Sequence, residues 1–311
     1  MYDQATTLRQ LVTSPKPALN LIALGEKSKR PSSMGHTRSI AITSGKGGVG
    51  KSNVAVNVAL ELARTGRRVT LLDADLALAN ADVLLGLNPK YHLGHVLSGE
   101  RSLAEVIVET TDGLRLIPGG SGIEGLANLS QAQQRRFIAE LSAMEDESDF
   151  LIIDTPAGIA HNVTTILHAA SAVIIVTTPD PTAVVDAYAT LKVLHRESPA
   201  KPVWLVVNDV VGIGDAEQTF QQIQSAAKRF LQHSLEHLGT IPRDAELAEA
   251  VRRQIPVLYY APQSPASRSV RLIAKRLEET HRSSAAAADK STSFWQSFTS
   301  RENPEAIPFA G

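Results

Sequence analysis

The sequence predicts an α/β fold, a doubly wound and mainly parallel sheet flanked by helices on both faces. Three observations predict it. Short apolar runs alternate with helical patterns, a glycine-rich loop joins the first run to the first helix, and aspartates close two of the runs. The runs are Ile40 to Ile42, Arg67 to Asp73, Leu114 to Ile117, Phe150 to Asp154, Ala172 to Thr177, Val203 to Val207 and Leu238 to Ile241. Those starting at Phe150 and Ala172 are continuous apolar stretches of the kind buried on two faces. Helical patterns cover Ser130 to Leu141, Thr182 to His195, Asp215 to Gln232 and Ser264 to Glu279. Ser102 and Glu105 have the spacing of a capping box, and Gly66 stands where a helix C-cap belongs.

The loop Ser44-Gly45-Lys46-Gly47-Gly48-Val49-Gly50-Lys51-Ser52 fits G-x-x-x-x-G-K-[ST] in the required setting of strand, loop, helix. Glycines at 45, 47, 48 and 50 let the backbone curl around Val49 so that N–H groups converge on phosphate oxygens. The helix N-terminus adds its positive dipole end. Lys51 is placed to reach the β and γ phosphates, and Ser52 to give its hydroxyl to Mg2+, a hard cation that keeps most of its waters. Lys46 is a second lysine early in the loop. Its flexible ammonium can supply positive charge to the transition state, within its own subunit or across to a partner's nucleotide.

Composition narrows the alternatives. The 311 residues carry a formal net charge of -1, which provides no global field toward nucleic acid or anionic lipid, and no nucleic-acid partner is expected. The absence of cysteine removes disulfides, thiolate nucleophiles and cysteine-held iron–sulfur sites. No apolar run approaches a membrane span, so the expectation is a cytoplasmic protein.

In open α/β sheets ligands sit outside the carboxyl ends of the strands, and here those ends are acidic. Asp154 closes the Phe150 run and is expected to serve the water shell of the magnesium ion. The second strand ends Asp73-Ala74-Asp75; Asp75 is assigned to orienting the attacking water and Asp73 to the metal's outer shell. Gly158, after Asp154-Thr155-Pro156-Ala157, offers a backbone N–H that can sense the γ phosphate. His233 and His237 lie four apart on a helical pattern, but no third ligand accompanies them, and a solvated pair is the expectation.

Lys46-Gly47-Gly48-Val49-Gly50-Lys51-Ser52, Asp73-Ala74-Asp75 with Asn80-Ala81-Asp82, and Asp154-Thr155-Pro156-Ala157-Gly158 together resemble the deviant Walker motifs of the MinD/ParA family over about residues 38–280. The resemblance implies a P-loop ATPase that forms an ATP-dependent homodimer, in which Lys46 reaches the opposite subunit's phosphates. It also implies ATP and Mg2+ as ligands, Asn208 as the adenine-reading residue, and Pro242 and Arg243 in the segment that closes over the base.

The ends of the chain point to a branch. Asp3, Gln4, Ala5, Leu8, Arg9 and Leu11 resemble the arm of flagellar-number regulators (FlhG/FleN-like), which implies stimulation of a signal-recognition-type flagellar GTPase and contact with a flagellar transcription regulator. Division-site and DNA-partition members of the family, and a nucleotide-binding module of negligible turnover, are the alternatives. Residues 1–37 thus read as arm and linker, 38–280 as the ATPase domain, and 281–311 as a flexible tail. In that tail Phe294, Trp295 and Phe298 can form the apolar face of a membrane-targeting helix at the inner face of the cell membrane. Arg282, Lys290 and Arg301 are balanced there by Asp289, Glu302 and Glu305, so anionic lipid adds little.

Overall fold

The apolar runs pair into one sheet. In a computed structural model, residues 37–75, 80–119, 131–285, 293–295 and 297–298 are described, with backbone alone for 131–137 and 282–285. The strands are β1 (Arg38–Thr43), β2 (Val69–Asp73), β3 (Val108–Glu109), β4 (Leu114–Ile117), β5 (Phe150–Asp154), β6 (Ala172–Thr177), β7 (Val203–Val210) and β8 (Glu236–Pro242). They lie in the order β3-β4-β2-β5-β1-β6-β7-β8, all parallel except the β3–β4 pair. The principal helices are α1 (Lys51–Arg64), α2 (Ala81–Leu84), α3 (Leu93–Leu97), α4 (Leu103–Val106), α5 (Gln131–Asp146) and α6 (His161–Ala169). They continue with α7 (Pro181–Glu197), α8 (Asp215–Leu231), α9 (Ala245–Arg253), α10 (Val257–Tyr260) and α11 (Pro265–Ala285).

Strand alternation divides the core. Ile40 and Ile42 of β1 face a cluster with Val54, Val58 and Leu62 of α1 and Val270, Ile273 and Leu277 of α11. Ala41 faces the opposite cluster, with Ile166 of α6, Leu191 of α7 and Ile223 of α8. Every residue of β5 is buried, as a strand covered on both faces requires. Because β1 sits between β5 and β6, the loop that leaves its carboxyl end lies at the middle of the sheet, flanked by the end of β5.

The structure departs from the sequence expectations at identifiable places. The edge strand β3 has two residues, too few for any periodicity to be visible. Helix α8 ends at Gln232 in the left-handed region (φ 53), so His233 is not on a shared helix with His237. His233 instead meets His195, ring centroids 5.2 Å apart, while His237 stacks on Phe220 from β8. The capping box at Ser102 and the left-handed Gly66 (φ 90) are as expected.

The aromatic tail requires the largest correction. Phe294, Trp295 and Phe298 are not on display for a membrane: they are 1%, 1% and 2% exposed and join the hydrophobic cluster that contains Leu93, Leu97, Leu141 and Met144. The physical reason is that this near-neutral segment gains about 1.5–3 kcal/mol for each large apolar side chain it removes from water, and the domain offers an apolar surface within its reach. Helix α11 runs past residue 280 to Ala285.

Candidate nucleotide site

The loop after β1 has the backbone of a phosphate cradle. Gly48 and Gly50 adopt φ of 83° and 86°, a region that L side chains avoid, and Gly47 and Gly48 are exposed at the mouth. Gly45 is constrained by space: a Cβ there would lie 2.2 Å from the backbone oxygen of Asp186 on α7. Helix α7 therefore presses directly on the loop. Gly45→Ala is expected to destabilise the protein by about 1–3 kcal/mol and to weaken nucleotide binding, because either α7 or the loop must shift. Urea unfolding and fluorescent-nucleotide titration check it.

Lys51 and Asp154 form the buried centre. The Lys51 ammonium donates to Asp154 Oδ1 at 2.6 Å and lies 3.2 Å from Ser52 Oγ. Burial pushes the Asp154 carboxyl up, and the Lys51 charge beside it opposes that shift. Asp154 Oδ2 is buried with no hydrogen-bond partner among the described residues. The Ser52 hydroxyl and the orphaned oxygen of the Asp154 carboxylate, at the end of a phosphate loop, are a donor set that suits a magnesium ion and its waters.

The two aspartates of the second strand end have different surroundings. Asp73 is in register with Asp154 on the neighbouring strand. Its Oδ1 accepts the Asp75 amide at 3.1 Å, and its Oδ2 accepts those of Asn80 and Ala81 at 3.0 Å each. These bonds make it an anchor for the turn into α2, which limits the metal role expected of it. Asp75 is half-buried and close enough for its charge to act on Asp154.

Asp73 also imposes a pH dependence. Burial, followed by the Asp154 charge, pushes its carboxyl from 3.8 up to about 7, against the Ala81 and Asp75 hydrogen bonds. The folded state then holds a proton that the unfolded chain releases, so stability falls as pH rises from about 4 through about 7. In protein without nucleotide or magnesium, Asp73→Asn is expected to flatten this part of the profile. Urea unfolding at a series of pH values checks it.

Lys46 is held within its own subunit. Its ammonium donates to Thr182 Oγ1 at 2.7 Å and lies 3.5 Å from Asp180 Oδ1, while the Thr182 hydroxyl donates to that same oxygen at 2.6 Å. Asp180 caps α7 by accepting the Thr182 and Ala183 amides. The Thr182 hydroxyl and these amides hold its carboxyl at about 2, so it is ionised at any physiological pH.

Gly158 is differently engaged from the sequence expectation. Its N–H donates to Ser44 O at 2.8 Å, so sensing a γ phosphate requires that bond to break. Asn208 is buried and its amide donates to Val49 O at 2.8 Å, tying the end of β7 to the loop. Asp209, next to it, has φ 58 and grips Arg243 through two bonds of 2.8 and 2.6 Å. The Arg243 amide in turn donates to Val210 O, so Pro242 and Arg243 lie beside the end of β7, the strand that carries Asn208. Sequence reasoning missed Asp180 and Thr182; the signal was Asp-Pro-Thr three residues after an apolar strand, a helix N-cap with proline at N1. Residues 3–11 lie outside the described residues.

Comparison with known proteins shows the family. A family model described as an AAA domain matches residues 37–197, and one described as NUBPL iron-transfer P-loop NTPase matches residues 127–278. The antiactivator FleN of Pseudomonas aeruginosa is 39% identical over 250 residues, covering 80% of this chain and 89% of that protein. The flagellum site-determining protein YlxH of Helicobacter pylori is 38% identical, covering 77% of this chain and 81% of that protein. This chain belongs to the MinD/ParA family of P-loop ATPases, in its flagellar-regulator branch.

The MinD/ParA fold is matched in three dimensions. The cell division ATPase MinD of Pyrococcus furiosus superposes with a TM-score of 0.65 at 26% identity, covering 78% of this chain and 99% of that one. MinD of Pyrococcus horikoshii, solved with Mg-ADP, gives 0.64 at 26% identity, covering 78% and 97%. The iron-transfer description does not extend to chemistry here, because the sequence holds no cysteine to bind a cluster. As a member of this family the chain is an ATPase.

Proposed function

We propose that this ATPase is a dimerising switch that regulates flagellar number or placement. The observation that carries the reading is Lys46, at the mouth of the loop with 40% of its side chain exposed and tethered to Asp180 and Thr182 of its own subunit. The tether is an exposed pair and contributes little stability, so it yields readily to a stronger acceptor. The phosphates of a facing subunit's ATP are such an acceptor, which makes ATP both substrate and part of the interface.

In the switch, the loop amides and Lys51 bind the β and γ phosphates, and Ser52 and Asp154 hold Mg2+. When bound, the ion supplies charge that offsets the developing negative charge on the transferred oxygens. Lys51 leaves Asp154 to meet the phosphates, and Asp75 orients the attacking water. Asn208 with Pro242 and Arg243 receives the base. Hydrolysis removes the γ phosphate, Lys46 returns to Asp180 and Thr182, and the subunits separate.

The flagellar assignment draws on the likeness to FleN and YlxH, whose names describe an antiactivator and a flagellar site determinant. It adds a partner for each end of the chain. Residues Asp3 to Leu11 stimulate a signal-recognition-type flagellar GTPase, and a flagellar transcription regulator is a second partner. The aromatic tail, released from its pocket, contacts the inner face of the membrane when the dimer supplies avidity. Among the described residues no helix is long and apolar enough to cross a membrane, so such contact is peripheral. A variant lacking residues 2–11 is expected to bind ATP as the full chain does but to lose stimulation of the GTPase. Full stimulation by that variant removes the arm from the account.

A further inference from the structure

Thr37 and the aromatic segment from Ser293 both meet the carboxyl end of α5. The Glu145 carboxylate accepts the Ser293 hydroxyl at 2.7 Å and the Phe294 amide at 2.9 Å, and Ser142 Oγ lies 3.4 Å from Ser293 Oγ. The same residue's carbonyl, in the last helical turn, accepts the Thr37 hydroxyl at 2.7 Å as well as the Ser148 amide at 2.8 Å. That hydroxyl also reaches Ser148 O at 2.7 Å. Thr37 is the first described residue after the N-terminal arm, and the strand that follows α5, β5, ends at Asp154.

We propose that the end of α5 is a shared anchor for both chain ends. Glu145 holds the aromatic segment by its carboxylate and the root of the arm by its carbonyl, so departure of the segment for a lipid surface loosens the arm. The coupling is physical. Glu145 is 3% exposed, and once Ser293 and Phe294 leave, its carboxylate is buried without those two donors. To reach water it must turn outward, which disturbs the helix end whose Glu145 and Ser148 carbonyls hold Thr37. By reciprocity, a change that pulls Thr37 away favours release of the aromatics. The destination of the segment rests on the membrane contact proposed above; the anchor does not.

Fluorine NMR of protein labelled with 5-fluorotryptophan tests this, because the chain has only Trp204 and Trp295. In Glu145→Ala the Trp295 resonance is expected to take on solvent-exposed character while Trp204, in the core, stays unchanged. In a chain ending at residue 292, which keeps Glu145 but removes Ser293 and Phe294, amide exchange over residues 37–40 is expected to rise at least about tenfold. Thr37→Val is expected to increase Trp295 exposure by a smaller amount. A buried Trp295 in Glu145→Ala, or unchanged exchange at residues 37–40 in the chain ending at residue 292, overturns the shared anchor. If the Trp204 resonance reports unfolding of Glu145→Ala, the shortened chain alone decides, and unchanged exchange at residues 37–40 again overturns the proposal. Sedimentation with phosphatidylcholine–phosphatidylglycerol vesicles and ATP tests the destination separately. Glu145→Ala is expected to bind several-fold more tightly; an exposed Trp295 without tighter binding overturns the lipid destination and leaves the anchor standing.

Discussion

Lys46→Ala is expected to abolish ATP-dependent dimerisation and to lower ATP hydrolysis by roughly 100-fold or more, the scale seen when a positive finger is removed from a phosphoryl-transfer site. The two losses should appear together, because one ammonium serves both. The Lys46 ammonium bonds exposed groups, Thr182 and Asp180, so its removal should leave the folded state intact. Monomeric nucleotide affinity should change little, since Lys51 and the loop amides remain. This combination is the diagnostic: a folded, nucleotide-binding protein that neither dimerises nor turns over. Sedimentation with ATP, a phosphate-release assay and thermal unfolding check the three parts.

Asp75→Ala should separate what Lys46→Ala joins. Hydrolysis is expected to fall by about 10²–10⁴-fold, the contribution of a positioned general base. Dimerisation with ATP should persist and last longer, because the γ phosphate that Lys46 grips is no longer removed. The comparison with Asp73 gives this prediction its force. Asp73 spends its carboxylate on the Asp75, Asn80 and Ala81 amides and is buried beside Asp154. Its loss should therefore appear first as lost stability and only secondarily as lost rate. If Asp73→Ala stalled turnover at full stability while Asp75→Ala hydrolysed normally, the two roles would have to be exchanged.

Much of this site was legible in the sequence because its parts are local. The loop from Gly45 to Ser52 is contiguous, and strand-end acids such as Asp154 and Asp73 are marked by the apolar runs they close. What escaped depends on distant segments. Asp180 and Thr182 meet Lys46 across 136 residues between the lysine and the threonine, and nothing in either stretch alone declares the contact. Asn208 touching Val49 is of the same kind. Gly158 looked available because a sequence does not record that Ser44 takes its N–H. The tail failed for a different reason. Aromatic spacing states that Phe294, Trp295 and Phe298 share an apolar face, but an apolar face reads alike whether it meets lipid or the protein's own core, and here Glu145 and the neighbouring cluster claim it. The edge strand β3 and the left-handed end of α8 were too short and too local in backbone for periodicity to record.

The fold carries the same lesson in its energetics. Strands β5 and β6 are nearly all apolar and buried on both faces, so their existence and parallel pairing followed from composition. Helix α9 buries little beyond Ala250 and part of Leu247, and Asp244 caps it and also accepts the Ala266 amide of α11, a contact that local pattern does not record.

The central claim is that ATP, read by Lys46, sets the oligomeric state. Sedimentation velocity of the hydrolysis-blocked Asp75→Ala protein tests it most directly, run with Mg-ATP, with Mg-ADP, and in combination with Lys46→Ala. The account expects a dimer with ATP, a monomer with ADP, and a monomer with either nucleotide once Lys46 is gone. A protein that stays monomeric with ATP, or dimerises equally well without Lys46, contradicts it.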